Sequence, residues 1–178
     1  MKIDHRKRAG FTLIELLVTL VVLGILISIG INNYSRLFSQ QKLVQKTEHL
    51  YHFLRLAKSQ SIKYNKKIYV HFCQLGNSGK WKMGMTDQAS CDCFTPASCL
   101  LNGLEVVNEL SDGQAVLIAP SDITFSSNQA SYSPMRFSVN AGSVTLADDA
   151  GYKLKVIQST MRLRVCSPEQ AQLGYKKC

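Results

Sequence analysis

Three sets of residues in this 178-residue chain have types and spacings suited to chemistry. The first is a single carboxylate. Glu15 is the one charged residue in the 21 positions from Phe11 to Ile31. A charge placed in hydrocarbon is costly, so such a residue needs a cationic partner and marks a site. The second set lies at the other end. Tyr152, Leu154 and Val156 alternate with Lys153 and Lys155, and Met161, Leu163 and Val165 alternate with Arg162 and Arg164. If two strands pair around an even-length loop near Gln158-Ser159, Lys155 faces Arg162 and Lys153 faces Arg164. An odd loop would set a lysine opposite a leucine and break the inside/outside pattern. The hydrophobic pattern therefore gathers four cations on one face, with Lys176 and Lys177 in the tail beyond. Guanidinium forks fit phosphate oxygens, and backbone contacts of this kind hold double-stranded DNA without sequence preference. The plain alternative is a solvated basic face, and anionic lipid or an acidic protein would use the same cations.

The third set is six cysteines: Cys73, Cys91, Cys93, Cys99, Cys166 and Cys178. In an oxidising compartment they imply disulfides, and six cysteines allow 15 pairings. The local expectation is Cys166–Cys178, stapling the basic tail to the last strand, with Cys73 bridged into the 91–99 cluster. Zinc is the competing use, but Cys91-x-Cys93 lacks finger spacing. His49 and His52, i,i+3 on a helix, read as solvated side chains rather than metal ligands. No Gly-x-Ser-x-Gly, phosphate loop or His-Glu-x-x-His occurs, so neither an enzyme nor a cofactor is expected.

The elements that must position these residues are legible from periodicity. The run 11–31 is apolar all round and, as a helix, would be roughly 31 Å long, the thickness of a bilayer core. Lys2, Arg6, Lys7 and Arg8 precede it, which places that end in the cytoplasm. Beyond it, Leu43, Val44, Leu50, Tyr51, Leu54 and Ala57 form one helical stripe. The spacing predicts one long helix from about Thr12 to Tyr64, amphipathic over 32–64. After Asn65 the period becomes two. Strands are predicted at 68–73 and 81–85, then at 104–109, 114–118, 122–126, 134–139 and 143–147, with an irregular cysteine-bearing loop over 87–103. A turn at 148–151 leads into the alternating segment 152–166. One helix followed by many short strands is an α+β chain with an antiparallel sheet, and the β-rich part spans 65–178.

Charge is segregated along this layout. The formal net charge is +9. Residues 36–82 hold ten Lys/Arg and one acid, 83–151 hold eight acids and one base, and 152–178 hold six bases and one acid. Such segregation concerns partners rather than fold.

Gly10-Phe11-Thr12-Leu13-Ile14-Glu15, with a basic leader before it and a full-length apolar run after it, resembles the class III signal of type IV pilins and pseudopilins. The resemblance implies removal of leader 1–10 between Gly10 and Phe11 by prepilin peptidase, and N-methylation of Phe11. It also implies an assembly role for Glu15, pairing with the N-terminal amine of a neighbouring subunit. Phe11 and Glu15 are i,i+4, so an intrachain pair is the alternative. Residues 54–65, the strand to Cys73, Trp81-Lys82-Met83-Gly84, Met135-Arg136-Phe137 and Met161–Cys166 are similar to the GspH/FimT family. Membership implies a type IV pilin fold, the first half of the helix crossing the inner membrane once and the globular part lying in the periplasm until assembly into a surface pilus. It also implies other pilins or pseudopilins as filament partners. Some FimT-like members serve DNA uptake in natural transformation through basic residues at this end. The alternative within the family is an H-type minor pseudopilin of a type II secretion system.

Overall fold

The computed structural model describes residues 11–134, 139–160 and 162–178, with the side chains of 29–33 excepted. The leader with Gly10, the Met135-Arg136-Phe137 segment and Met161 lie outside these residues. The chain divides into two units, one up to Leu37 and one from Phe38 to Cys178. Helix α1, Leu13–Tyr64, runs through both. In the first unit Thr12 caps α1: Glu15 N–H donates to Thr12 Oγ1 at 3.3 Å and Leu16 N–H to Thr12 O at 3.2 Å. Glu15 is thus the third helical residue, where the exposed N–H groups favour a carboxylate. The apolar side chains described from Phe11 to Ile27 are all exposed. Among the described residues no helix is long and apolar enough to cross a membrane. The helical side chains described at this end stop at Ser28, and part of the expected 11–31 span lies beyond them.

The second unit is built on the amphipathic half of α1. Leu43, Thr47, Leu50, Leu54, Ala57 and Ser61 are buried, at the three-to-four-residue spacing that keeps one helix face inward. Thr47 and Ser61 fall outside the apolar stripe predicted from sequence. They bury because each hydroxyl donates to its own helix, Thr47 to Leu43 O at 2.7 Å and Ser61 to Lys58 O at 2.8 Å, so no donor is left unpaired.

Ten strands follow: β1 Ile68–Gln74, β2 Trp81–Thr86, β3 Leu100–Leu101, β4 Leu104–Glu105, β5 Val107–Ser111, β6 Val116–Leu117, β7 Gln129–Tyr132, β8 Gly142–Asp148, β9 Lys153–Gln158 and β10 Leu163–Cys166. They make two four-stranded antiparallel sheets, ordered β5-β2-β1-β7 and β10-β9-β8-β6, and a small β3-β4 ribbon. This is the expected α+β class. Three strand assignments need correction. The strand expected at 104–109 divides into β4 and β5, which belong to different sheets. Residues 122–126 are not a strand, because Asp122 turns the chain: Asp122 N–H donates to Ala119 O at 2.9 Å and its carboxylate accepts from Ala119 N–H at 3.0 Å. Only Ile123 bridges to the sheet, at Val144. Conversely, β7 goes unpredicted, since Gln129-Ala130-Ser131-Tyr132 carries no β-branched residue. It forms by pairing with β1 and burying Ala130 and Tyr132.

The core joins α1 to both sheets through Leu43, Leu50 and Leu54 from the helix, Val70 and Met83 from one sheet, and Leu146 and Leu154 from the other. Trp81 ties the sheets further, its indole N–H donating to Ile118 O at 2.9 Å. Phe125 stacks on Phe72 with centroids 5.5 Å apart. Gly142 is required beneath it, for a Cβ there would lie 2.3 Å from the Phe125 ring. Cys73–Cys93 fixes the 87–103 loop to β1, and Cys91–Cys99 closes that loop on itself. Leu50 is wholly buried, so Leu50→Ala is expected to destabilise the Phe38–Cys178 unit by about 2–5 kcal/mol in denaturant unfolding. A loss below about 0.5 kcal/mol, the range of surface substitutions, would contradict this account of the core.

Candidate nucleic-acid interface

The cationic end is shaped by the β9–β10 hairpin. The alternating pattern of β9 buries Leu154, Val156 and Gln158 and turns Lys153, Lys155 and Ile157 to the other face. The strands pair Leu163 with Gln158, Arg164 with Ile157, Val165 with Val156 and Cys166 with Lys155. The loop between them, 159–162, has even length, so the inward and outward faces match as expected. The register itself differs: Lys155 does not face Arg162, nor Lys153 Arg164. The cause is the loop closure. Ser159 N–H donates to Arg162 O at 2.9 Å, and Arg162 N–H donates to Ser159 Oγ at 3.2 Å. This takes Arg162 out of the strand and slides the pairing two residues along each strand. Directly opposed like charges are thereby avoided, which removes a cost of a few tenths of a kcal/mol per pair, on the order of other cross-strand terms.

The six sequence-predicted cations then part into groups. Arg162 and Arg164 are exposed and line one shallow cleft with Ile157, Ser159 and Thr160. Lys153 forms an ion pair with Glu169 at 2.8 Å. The hydrogen bond to that carboxylate, and then its charge, raise the Lys153 pKa. Its charge is therefore partly spent within the protein. Lys155 is half-buried opposite Cys166. Lys176 and Lys177 are exposed on the tail. Phe11 and Glu15 belong to the other unit.

The tail is held at several points. Cys166 and Cys178 are bonded, with Cα atoms 5.1 Å apart. Ser167 N–H donates to Lys176 O and Cys178 N–H to Ser167 O, both at 2.9 Å. Gln172 Nε2 donates to Lys153 O at 2.8 Å. At its far side Tyr175 Oη donates to Glu48 Oε1 of α1 at 2.5 Å. Glu48 also lies 3.7 Å from His52 Nε2. Nothing in the local sequence of the tail announces the Tyr175–Glu48 contact, which joins residues 127 positions apart. With all six cysteines in disulfides, no thiolate is left for zinc. Among the described residues no group of three or more metal-ligating side chains assembles.

Desolvation, then the Glu48 carboxylate, push the Tyr175 pKa up to about 12. The folded state thus favours the neutral phenol. Its contribution to stability is complete below pH 10, the ordinary tyrosine value, and is lost as pH rises toward about 12. Burial raises the Tyr132 pKa as well, so alkaline unfolding should show a loss of stability over pH 10–12 that is smaller, not absent, in Tyr175→Phe. Identical alkaline profiles for the two proteins would remove Tyr175 as the anchor of the tail.

Comparison with known proteins matches two stretches. Residues 5–31 match the prokaryotic N-terminal methylation motif, and residues 46–167 match the type II transport protein GspH model. No curated protein and no solved structure gives a significant match. The methylation motif fits a membrane-anchored pilin that becomes surface-assembled. The GspH match covers the stripe of α1 from Leu50 onward, both sheets and the hairpin. A leader motif, an N-terminal helix and antiparallel sheets packed on its second half thus occur in one chain, which belongs to the GspH/FimT family of type IV pilin-like minor pilins, structural subunits processed by prepilin peptidase and assembled with other pilins or pseudopilins.

Proposed function

We propose that this protein is a minor pilin of a type IV pilus that binds double-stranded DNA through its basic C-terminal region and supports DNA uptake in natural transformation. The observation that carries the reading is the pairing of Arg162 and Arg164 in one exposed cleft. Beside them, the disulfide and the Ser167 hydrogen bonds fix the backbone carrying Lys176 and Lys177. Cations on a fixed backbone bind phosphate with less ordering cost than the same cations on a free tail. Lys155 adds charge on the same strand face, and Lys153 contributes less because Glu169 holds it.

In this reading residues 11–31 cross the inner membrane once before assembly. The N-terminal side is cytoplasmic and the β-rich unit periplasmic. Prepilin peptidase cuts between Gly10 and Phe11, and Phe11 is N-methylated. Glu15 sits in the first turn of α1, exposed within an apolar surface. It pairs with the amine of a neighbouring subunit and sets register in the filament. The description of the matching family as a type II transport protein favours a second reading, an H-type minor pseudopilin of a type II secretion system. That role needs Glu15 and the apolar helix but not the arginine cleft.

The Phe38–Cys178 unit contains all the buried residues among those described and all three disulfides. It is expected to shift duplex DNA in a salt-sensitive manner, and Arg162→Gln/Arg164→Gln should abolish the shift. Glu169→Gln, by releasing Lys153, should strengthen binding. Absence of binding at low salt would leave the secretion reading. Glu15→Ala should leave the β-rich unit folded and reduce incorporation into filaments; normal incorporation would refute the assembly role.

A further inference from the structure

The hairpin loop 159–162 borders a second cleft, on the side facing α1. This cavity of about 370 Å³ is lined by Tyr51, Arg55 and Lys58 from the helix and by Ser159, Thr160 and Arg162 from the loop. Tyr132 forms part of its wall, with its hydroxyl already donating to Gln158 Oε1 at 2.5 Å. Arg55 and Lys58 are i,i+3 and so share a helix face. The Arg55 guanidinium lies over the Tyr51 ring, 5.7 Å from its centroid, a contact that orients it at little cost in side-chain freedom. Ser159, Thr160 and Arg162 belong to both this cleft and the one holding Arg164. The described lining of the two clefts therefore contains four cations, Arg55, Lys58, Arg162 and Arg164, and no carboxylate.

Two cationic clefts sharing an arginine form a track rather than two isolated points. A surface that merely kept the protein soluble would interleave acids with bases, as happens at Lys46–Glu109 and Lys66–Asp87. We infer that α1 is part of the phosphate-binding surface. Arg55 and Lys58, with Arg162 across the cleft, hold a phosphodiester group of the same DNA strand whose next contact falls on Arg164. The loop acts as the crossing point between helix and hairpin. This inference rests on the DNA-binding reading of the hairpin and extends it to residues more than ninety positions away in the chain.

The test is duplex DNA binding by the full chain in non-ionic detergent, measured across a salt series. The variants are Arg55→Gln/Lys58→Gln, the charge-preserving Arg55→Lys/Lys58→Arg, and Lys63→Gln/Lys67→Gln as an equal charge change outside the cleft. Loss of one or two phosphate contacts should weaken binding about tenfold or more and flatten the log–log salt slope by roughly 1–2. The charge-preserving variant should retain most of the affinity, and Lys63→Gln/Lys67→Gln should fall much less than the cleft variant. If Arg55→Gln/Lys58→Gln matches Lys63→Gln/Lys67→Gln, the helix contact is overturned while the hairpin reading stands. If the unaltered chain binds no DNA, both fall.

Discussion

The apolar stripe of α1 from Leu43 to Ala57 is the contact on which the rest of the second unit depends. Leu43, Leu50, Leu54 and Ala57 are wholly or almost wholly buried, with Val44 and Tyr51 partly buried against the same core, and each full burial of a leucine side chain stabilises by about 1.5–3 kcal/mol. Neither sheet can bury its inner face alone. One brings Val70, Met83 and Tyr132 to the stripe and the other Val144, Leu146 and Leu154. The helix thus serves as the common wall. The direction of its outward face follows, and with it the placement of Arg55, Lys58 and Glu48. The polar residues of α1 that take part in the surface chemistry are positioned by the apolar residues that do not.

Covalent links complete what packing leaves loose. The segment between β2 and β5 carries few residues able to enter the core, and it is fastened by Cys73–Cys93 and Cys91–Cys99. Gly84 is part of that arrangement: a Cβ there would meet Cys99 Sγ at 2.5 Å. The tail has the same problem, being short, polar and terminal. The Cys166–Cys178 bond and the Tyr175–Glu48 hydrogen bond hold its two sides. A segment whose charges stay at the surface cannot be anchored by burying them, so the anchors are a disulfide and hydrogen bonds instead.

Electrostatics in the hairpin show a compromise between gathering cations and keeping a stable sheet. Directly opposed lysines and arginines would repel across about 5 Å. The observed register offsets them, pairing Arg164 with Ile157 and Lys155 with Cys166. Glu169 takes up Lys153, and Arg162 is lifted into the loop. Positive charge stays concentrated at one end of the sheet while no two cations face each other in the ladder.

Much of this was legible in the residues themselves. Period-3.6 burial of Leu43, Leu50, Leu54 and Ala57 set the helix and its inner face, and period-two alternation set β1, β8, β9 and β10, because side-chain direction follows directly from backbone geometry. The parity of the hairpin loop was likewise fixed, since a one-residue slip would expose every buried side chain. The leader motif and Glu15 were read from local order alone. Register within that parity was not determined, because Ser159 and Arg162 close the loop through hydrogen bonds that hydrophobicity does not encode. Nor was β7, whose residues become a strand only by pairing with β1. The meeting of Arg55 and Lys58 with Arg162, and of Glu48 with Tyr175, belongs wholly to tertiary structure. The shared cleft and the Tyr175–Glu48 hydrogen bond bring together residues roughly a hundred or more positions apart, and only the packing of both sheets against one helix places them so.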